Sequence, residues 1–144
     1  LMLAKAKSQA LRFLAYRNRS THEIRTFLTK KKYEDNIVEE VVNYLEELGY
    51  LNDYQFCQFW IEDRSRFKPM GKRRIYNELL IKGINPEIIK EALKIFDEER
   101  EREVAISLVK KKMKRYDSKE KMARFLYNRG FDTGLIRHVI SQNY

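Results

Sequence analysis

Apolar residues recur along this chain at spacings of three and four, so the elements they predict are helices. From Gly71 to Leu93 the pattern reads helix, tight turn, helix. Ile75 and Leu79 share one face of the first helix, and Ile88, Ile89, Ala92 and Leu93 supply the face of the second. Gly83 suits the left-handed residue that ends a helix, because it has no Cβ to clash. Asn85 can cap the next helix, and Pro86 fits its first position, where no N–H is needed.

The same stretch recurs upstream from Ser20 and downstream from Ser118, the copies beginning 51 and then 47 residues apart. The helix-start position holds Ser20, Gly71 and Ser118, and the turn position Lys32, Gly83 and Gly130. Between and after them run five apolar columns. These are Ile24, Ile75 and Met122; Leu28, Leu79 and Leu126; Tyr33, Ile84 and Phe131; Ile37, Ile88 and Leu135; and Val41, Ala92 and Val139, with further matches between them. Small helical units at such a period indicate tandem modules. Lys32 stands where the other copies have glycine. Either its turn differs, or a left-handed lysine is tolerated at about 1 kcal/mol.

Each copy is preceded by another helix. The first is expected over about residues 3–17, with Leu11, Leu14 and Ala15 inward. Ser20 and Glu23 have capping-box spacing before a helix that buries Ile24, Phe27 and Leu28. The third, about 36–48, turns Ile37, Val41, Leu45 and Leu48 to the core and Glu39, Glu40, Glu46 and Glu47 outward. Gly49 is a stop signal and Asn52-Asp53 a start signal. The aromatic helix at about 54–66 places Phe56, Phe59 and Trp60 at helical spacing, which reads as core rather than base stacking. Asp97 to Glu103, DEERERE, is either a turn opened by Asp97 or the charged middle of one long helix. No β alternation of useful length occurs. The chain therefore reads as all-α: about nine helices in three tandem three-helix modules, at residues 1–53, 54–99 and 100–144, forming an elongated helical repeat.

Charge adds direction. The net charge is +9 over 144 residues, which favours polyanionic partners without specifying the fold. The first two modules carry 9 basic and 8 acidic residues each, the third 12 and 5. Two basic runs stand out. Arg64, Arg66, Lys68, Lys72, Arg73 and Arg74 surround a Lys-Pro-Met-Gly break with Phe67 among them. Lys110, Lys111, Lys112, Lys114 and Arg115 follow without an acid. Such runs suit nucleic-acid phosphates, and each can equally be a solvated face. Lys30, Lys31, Lys32, Lys82 and Arg129 are further candidates. Residues 34–53 hold seven acids and no base, so the outward face of Glu39, Glu40, Glu46 and Glu47 is either solvated or turned to a basic partner.

Candidate chemistry is sparse. His22 and His138 are isolated and have no ligand at metal spacing. GKRR at 71–74 lacks the phosphate-loop spacing. No triad is evident, so neither catalytic residues nor a metal or cofactor are expected. The single Cys57 reads as a buried thiol and excludes an internal disulfide framework. No apolar run approaches a membrane span, and Lys5 and Lys7 interrupt the only apolar start, so no signal peptide is expected.

LAYRNRSTHEIRTFLTKKKY with LEELGYLND, then GKRRIYNELLIKGI, then FLYNRGF resemble the RecX family from about Ala10 to Ile140. LGYLND and the Gly71…Leu79…Lys82-Gly83-Ile84 pattern are the most specific pieces. Lys32 departs from the usual KGY-like turn. The resemblance implies three tandem three-helix modules in a cytoplasmic, cofactor-free regulator. It also implies binding in the groove of the RecA filament on DNA, direct binding to single- and double-stranded DNA, and restraint of the recombinase by a monomer. Two other readings stay open: a non-specific nucleic-acid-binding helical repeat with no recombinase partner, and a pure protein scaffold.

Overall fold

Polar caps and tight turns cut the apolar pattern into nine α-helices. The computed structural model describes residues 1–144. The helices are α1 Met2–Tyr16, α2 Thr21–Lys30, α3 Asp35–Glu47, α4 Asp53–Phe67, α5 Lys72–Ile81, α6 Pro86–Leu93, α7 Glu98–Lys112, α8 Lys119–Asn128 and α9 Thr133–Asn143. Caps act where expected: Ser20 and Glu23 form a full capping box, and Asn85 receives the Glu87 N–H ahead of Pro86. Asp97 receives the Arg100 N–H, so the acidic segment is a turn and a new helix start rather than the middle of one long helix.

Each consecutive trio of helices encloses its own apolar core. The repeat columns predict burial closely. Ile24, Ile75 and Met122 are fully buried, as are Leu28, Leu79 and Leu126, and Val41, Ala92 and Val139. Ile37, Ile88 and Leu135 are all half-buried. The chained arrangement exposes 9190 Å², against about 7,900 Å² expected for a compact monomer of this mass. No helix is long and apolar enough to cross a membrane.

Three expectations about facing are corrected. In α1 the buried residues are Ala6 and Ala10, with Leu3, Phe13 and Leu14 packed beside them, while Leu11 and Ala15 face solvent. Small side chains let α1 lie close against its neighbours. Leu48 is exposed, because α3 ends at Glu47 and the Gly49 turn brings Leu51 into the core instead. Phe59 is also exposed, because the buried face of α4 is centred on Phe56, Cys57 and Ile61 and leaves Phe59 beyond its edge. Burial pushes the Cys57 thiol up to about 12, which makes it a poor nucleophile.

Modules join by one recurring contact. The start of the second helix in one module sits on the turn after the second helix of the next. Ser20 Oγ donates to Lys82 O at 2.7 Å, and the Gly71 N–H donates to Arg129 O at 2.8 Å. The next N–H in each helix, an orphan donor at a helix start, meets a carboxylate from the following module. Thr21 N–H reaches Asp53 Oδ1 at 2.9 Å, and Lys72 N–H reaches Glu101 Oε2 at 2.7 Å. Positive helix starts therefore abut negative helix ends along the array.

This joint explains the turn column. Gly83 and Gly130 have positive φ, and an added Cβ would lie 2.3 Å from the His22 ring and 2.4 Å from the Arg74 Cβ respectively. Lys32 adopts the same left-handed turn, φ 71°. Its side chain is exposed, with no helix start of another module packed on it as His22 packs on Gly83. The lysine meets only the backbone strain and escapes the collision.

Candidate nucleic-acid interface

The six basic residues from Arg64 to Arg74 are brought to different tasks. Arg64 lies over the Trp60 ring, 4.2 Å from its centroid, and donates to Glu78 at 2.9 Å and Asp63 at 3.0 Å. Trp60 Nε1 donates to the same Glu78 oxygen. Arg66 pairs with Glu62 at 3.1 Å in solvent. Lys68 is exposed, and the Lys72 side chain is half-buried beside the seam. Arg73 donates to Tyr127 O and lies over its ring. Arg74 donates to Asn128 O at 3.4 Å. Arg73 and Arg74 thus reach carbonyls at the C-terminal end of α8, where positive charge is favoured.

Arg74 also belongs to a cationic cluster that the sequence did not assemble. A cleft of about 400 Å³ is lined by Arg74, Arg115, Lys121, Arg124 and Arg129, with Tyr116, Phe125 and Asn128. It contains no acid. The Tyr116 and Phe125 rings stack at 4.7 Å. Arg115 and Arg129 lie over these rings, 5.8 and 5.1 Å from their centroids. Arg129 also donates to Pro69 O at 3.0 Å across the seam. Of the five cations, only Lys121 has a carboxylate partner, the exposed Asp117 at 3.3 Å. Five positive groups around a stacked aromatic pair suit a phosphate backbone with bases beside it.

Lys110, Lys111 and Lys112 occupy the last turn of α7, and Lys114 and Arg115 follow it toward this cleft. Lys30, Lys31 and Lys32 lie at the other end of the array around the free first turn, with Lys31 over the Phe27 ring at 5.3 Å. Lys82 is drawn into the first joint by Glu23 at 3.5 Å. On the acidic face, Glu39 is held by Arg25 at 2.9 Å, and hydrogen bonding from Arg25 keeps its carboxyl below the usual range. Glu40, Glu46 and Glu47 are exposed.

Sequence reasoning missed Lys121, Arg124, Tyr116 and Phe125. The repeat register carried a signal for one of them. Lys121 shares its column with Glu23 and Arg74, a position that sits at a joint in both earlier modules. No group of three His, Cys, Asp or Glu residues is placed to hold a metal ion. The one buried carboxyl, Glu101, is raised by desolvation and opposed by the Lys72 N–H, which makes it part of the seam.

Comparison with known proteins gives three consecutive family-model matches: RecX first three-helix domain over residues 6–45, second over 52–93 and third over 98–140. The regulatory protein RecX of Chlorobium phaeobacteroides is 34% identical across 96% of this chain and 93% of its own length. That of Bacillus subtilis is 33% identical across 96% of this chain and 54% of its own length. The crystal structure of RecX from Lactobacillus salivarius superposes with a TM-score of 0.90 at 24% identity, covering 97% of this chain and 95% of that one. The relatives are named as regulatory proteins, not as enzymes.

Proposed function

Because the chain belongs to the RecX family, we propose that it is a regulator that lies in the groove of a RecA filament on DNA and restrains strand exchange and ATP turnover. The observation that carries this reading is the end-to-end chaining of three small modules, with an acid-free cationic cleft built mainly from the third. A groove is long and narrow. A string of modules can cross several filament subunits, where a sphere of equal mass would touch one or two.

In this reading Lys110, Lys111, Lys112, Lys114 and Arg115, with Arg74, Lys121, Arg124 and Arg129, meet DNA phosphates. Lys68, Lys72, Arg73 and Arg66 flank them. Lys30, Lys31 and Lys32 offer a second contact at the far end. The acidic face from Glu39 to Glu47 meets basic protein surface. Regulation follows if the protein binds one filament state more tightly than another, since only differential affinity shifts an equilibrium.

The test is the DNA-dependent ATPase of a cognate RecA filament on single-stranded DNA, with this protein added below stoichiometry. Loss of ATPase at a small protein-to-recombinase ratio is expected. If ATPase is unaffected at equimolar protein that demonstrably binds the same DNA, the recombinase reading fails, and a plain nucleic-acid-binding repeat replaces it.

A further inference from the structure

The outer groove between the second and third helices of each module is closed differently in each copy. Two positions decide it, five residues after the helix start and seven after the turn. In the first module these are Arg25 and Glu39, which make a two-point ion pair across the groove at 2.9 and 3.0 Å. In the second, Tyr76 fills the first position and packs against the module core, with Lys90 at the other. In the third they are Ala123 and Arg137. The alanine is too short to cover the groove, and the carboxylate of the first module has become a cation.

A cleft of about 670 Å³ opens there, with Ala123, Ile136, Ile140 and Tyr127 among its lining. Lys119, Arg124 and Arg137 stand on its rim with no carboxylate in ion-pair range, and Glu120 is the one acid beside them. Ligand clefts of this size combine an apolar floor with a few polar groups that set orientation. A nucleic-acid backbone would satisfy the cations and leave the isoleucines unused. A neutral apolar peptide would use the floor and leave the cations unpaired.

We infer that this cleft takes an acidic peptide segment of a partner protein, with an aliphatic or aromatic side chain seated on Ile136 and Ile140 and flanking carboxylates against Lys119 and Arg137, the two rim cations that the DNA cleft does not share. Anchors of this kind dominate binding, while the surrounding charges set register and encounter rate. The site goes beyond the proposed DNA contact and requires neither DNA nor a recombinase to be occupied.

The experiment selects a random peptide library displayed on phage against the full chain. The top sequence is then measured as a labelled synthetic peptide by fluorescence anisotropy. Ala123→Tyr copies the closure of the second module, and Arg137→Glu removes rim charge without touching the floor. Enrichment of peptides with carboxylates flanking one aliphatic or aromatic residue is expected. Each variant should weaken the peptide by about tenfold, with helical circular dichroism intact. Binding of a single-stranded oligonucleotide to Ala123→Tyr should stay unchanged. The inference is overturned by failure to enrich any peptide, by enrichment without acidic residues, or by wild-type affinity of the peptide for either variant. It is also overturned if the oligonucleotide loses affinity with Ala123→Tyr, since the occupant would then be nucleic acid. Sedimentation showing self-association abolished by Ala123→Tyr would make the occupant a second copy of this chain and overturn it too.

Discussion

At the joint between the first and second modules, the His22 side chain lies over Gly83, and a Lys82–Glu23 pair at 3.5 Å closes the edge. At the joint between the second and third, backbone lies against backbone. A Cβ on Gly71 would sit 2.3 Å from Gly130 O and 2.5 Å from Phe131 N. Arg73, Arg74 and Arg129 all reach carbonyl oxygens across that seam, and Val104 packs against the cores on both sides. The second joint gives up a capping side chain to achieve this, since Gly71 replaces the Ser20 of the first copy. Glycine at a helix start costs only a few tenths of a kcal/mol relative to serine, so the closer seam wins. The difference teaches that one repeat plan can yield a joint closed by side chains and a joint closed by backbone. The backbone-closed joint is the one whose Arg74 and Arg129 also line the cationic cleft.

The largest expected break is Gly71→Ala. Gly71 has φ −83°, which any residue adopts, so the whole penalty falls on the seam. Overpacking against backbone predicts a loss of about 3 kcal/mol, read as a lower urea midpoint and a larger radius of gyration in solution scattering. Gly83→Ala strains its turn by about 1 kcal/mol and brings its Cβ to 2.4 Å from the His22 Cβ, a clash with one side chain rather than with the neighbouring backbone. Equal midpoints for the two variants would remove the distinction between the joints.

The next comparison separates seam from charge. Arg124 lines the cleft without crossing the seam, whereas Arg129 does both. Arg124→Glu should lower the salt dependence of single-strand binding, with a slope change of about 0.7 for each phosphate no longer neutralised, and leave the melting temperature unchanged. Arg129→Glu should lower both. If Arg124→Glu binds DNA with an unaltered salt slope, the cleft does not hold the DNA.

The repeat columns were legible because apolar periodicity within a module is a local property. The joints were not, because each pairs a helix start with a turn some 60 residues later, as Ser20 does with Lys82. Nor was the α1 face. Hydropathy ranks Leu11 above Ala6 and Ala10, while close helix approach ranks them the other way. Charge runs were visible as sequence, but a run does not reveal its partners. Arg64 is neutralised by Glu78 and Asp63, and Arg124, outside any run, has no ion-pair partner. The glycine column was legible as turn chemistry, and only the joint supplies the second reason for it. That reason gives a gain-of-stability prediction. Lys32→Gly relieves an exposed left-handed lysine, and should stabilise the first module by up to about 1 kcal/mol. No gain in its thermal unfolding would mean that the lysine side chain returns what its backbone loses.

The smallest effect is the response of each joint to pH, and its sign differs between them. Burial alone would raise the Glu23 carboxyl, but Arg17, the Ser20 N–H and Lys82 together hold it below the usual range. Its contribution is present above the unfolded carboxylate pKa and is lost as pH falls through the lowered folded value. Glu101 is raised by desolvation, with the Lys72 N–H only partly opposing. Its contribution is complete below the unfolded pKa and is lost as pH rises through the raised folded value. The exposed Glu62–Arg100 pair at 2.9 Å also spans the second seam, and solvent screening keeps it a minor term. Glu23→Gln should therefore destabilise the chain at neutral pH and converge with wild type in acid. Glu101→Gln keeps an acceptor for the Lys72 N–H and should do the reverse, matching or exceeding wild type at neutral pH and losing that advantage in acid. Urea midpoints across the acid-to-neutral range would show it. Parallel curves for the two variants would mean that both carboxyls serve their joints in the same ionic form, and the chemical contrast between the seams would fall away.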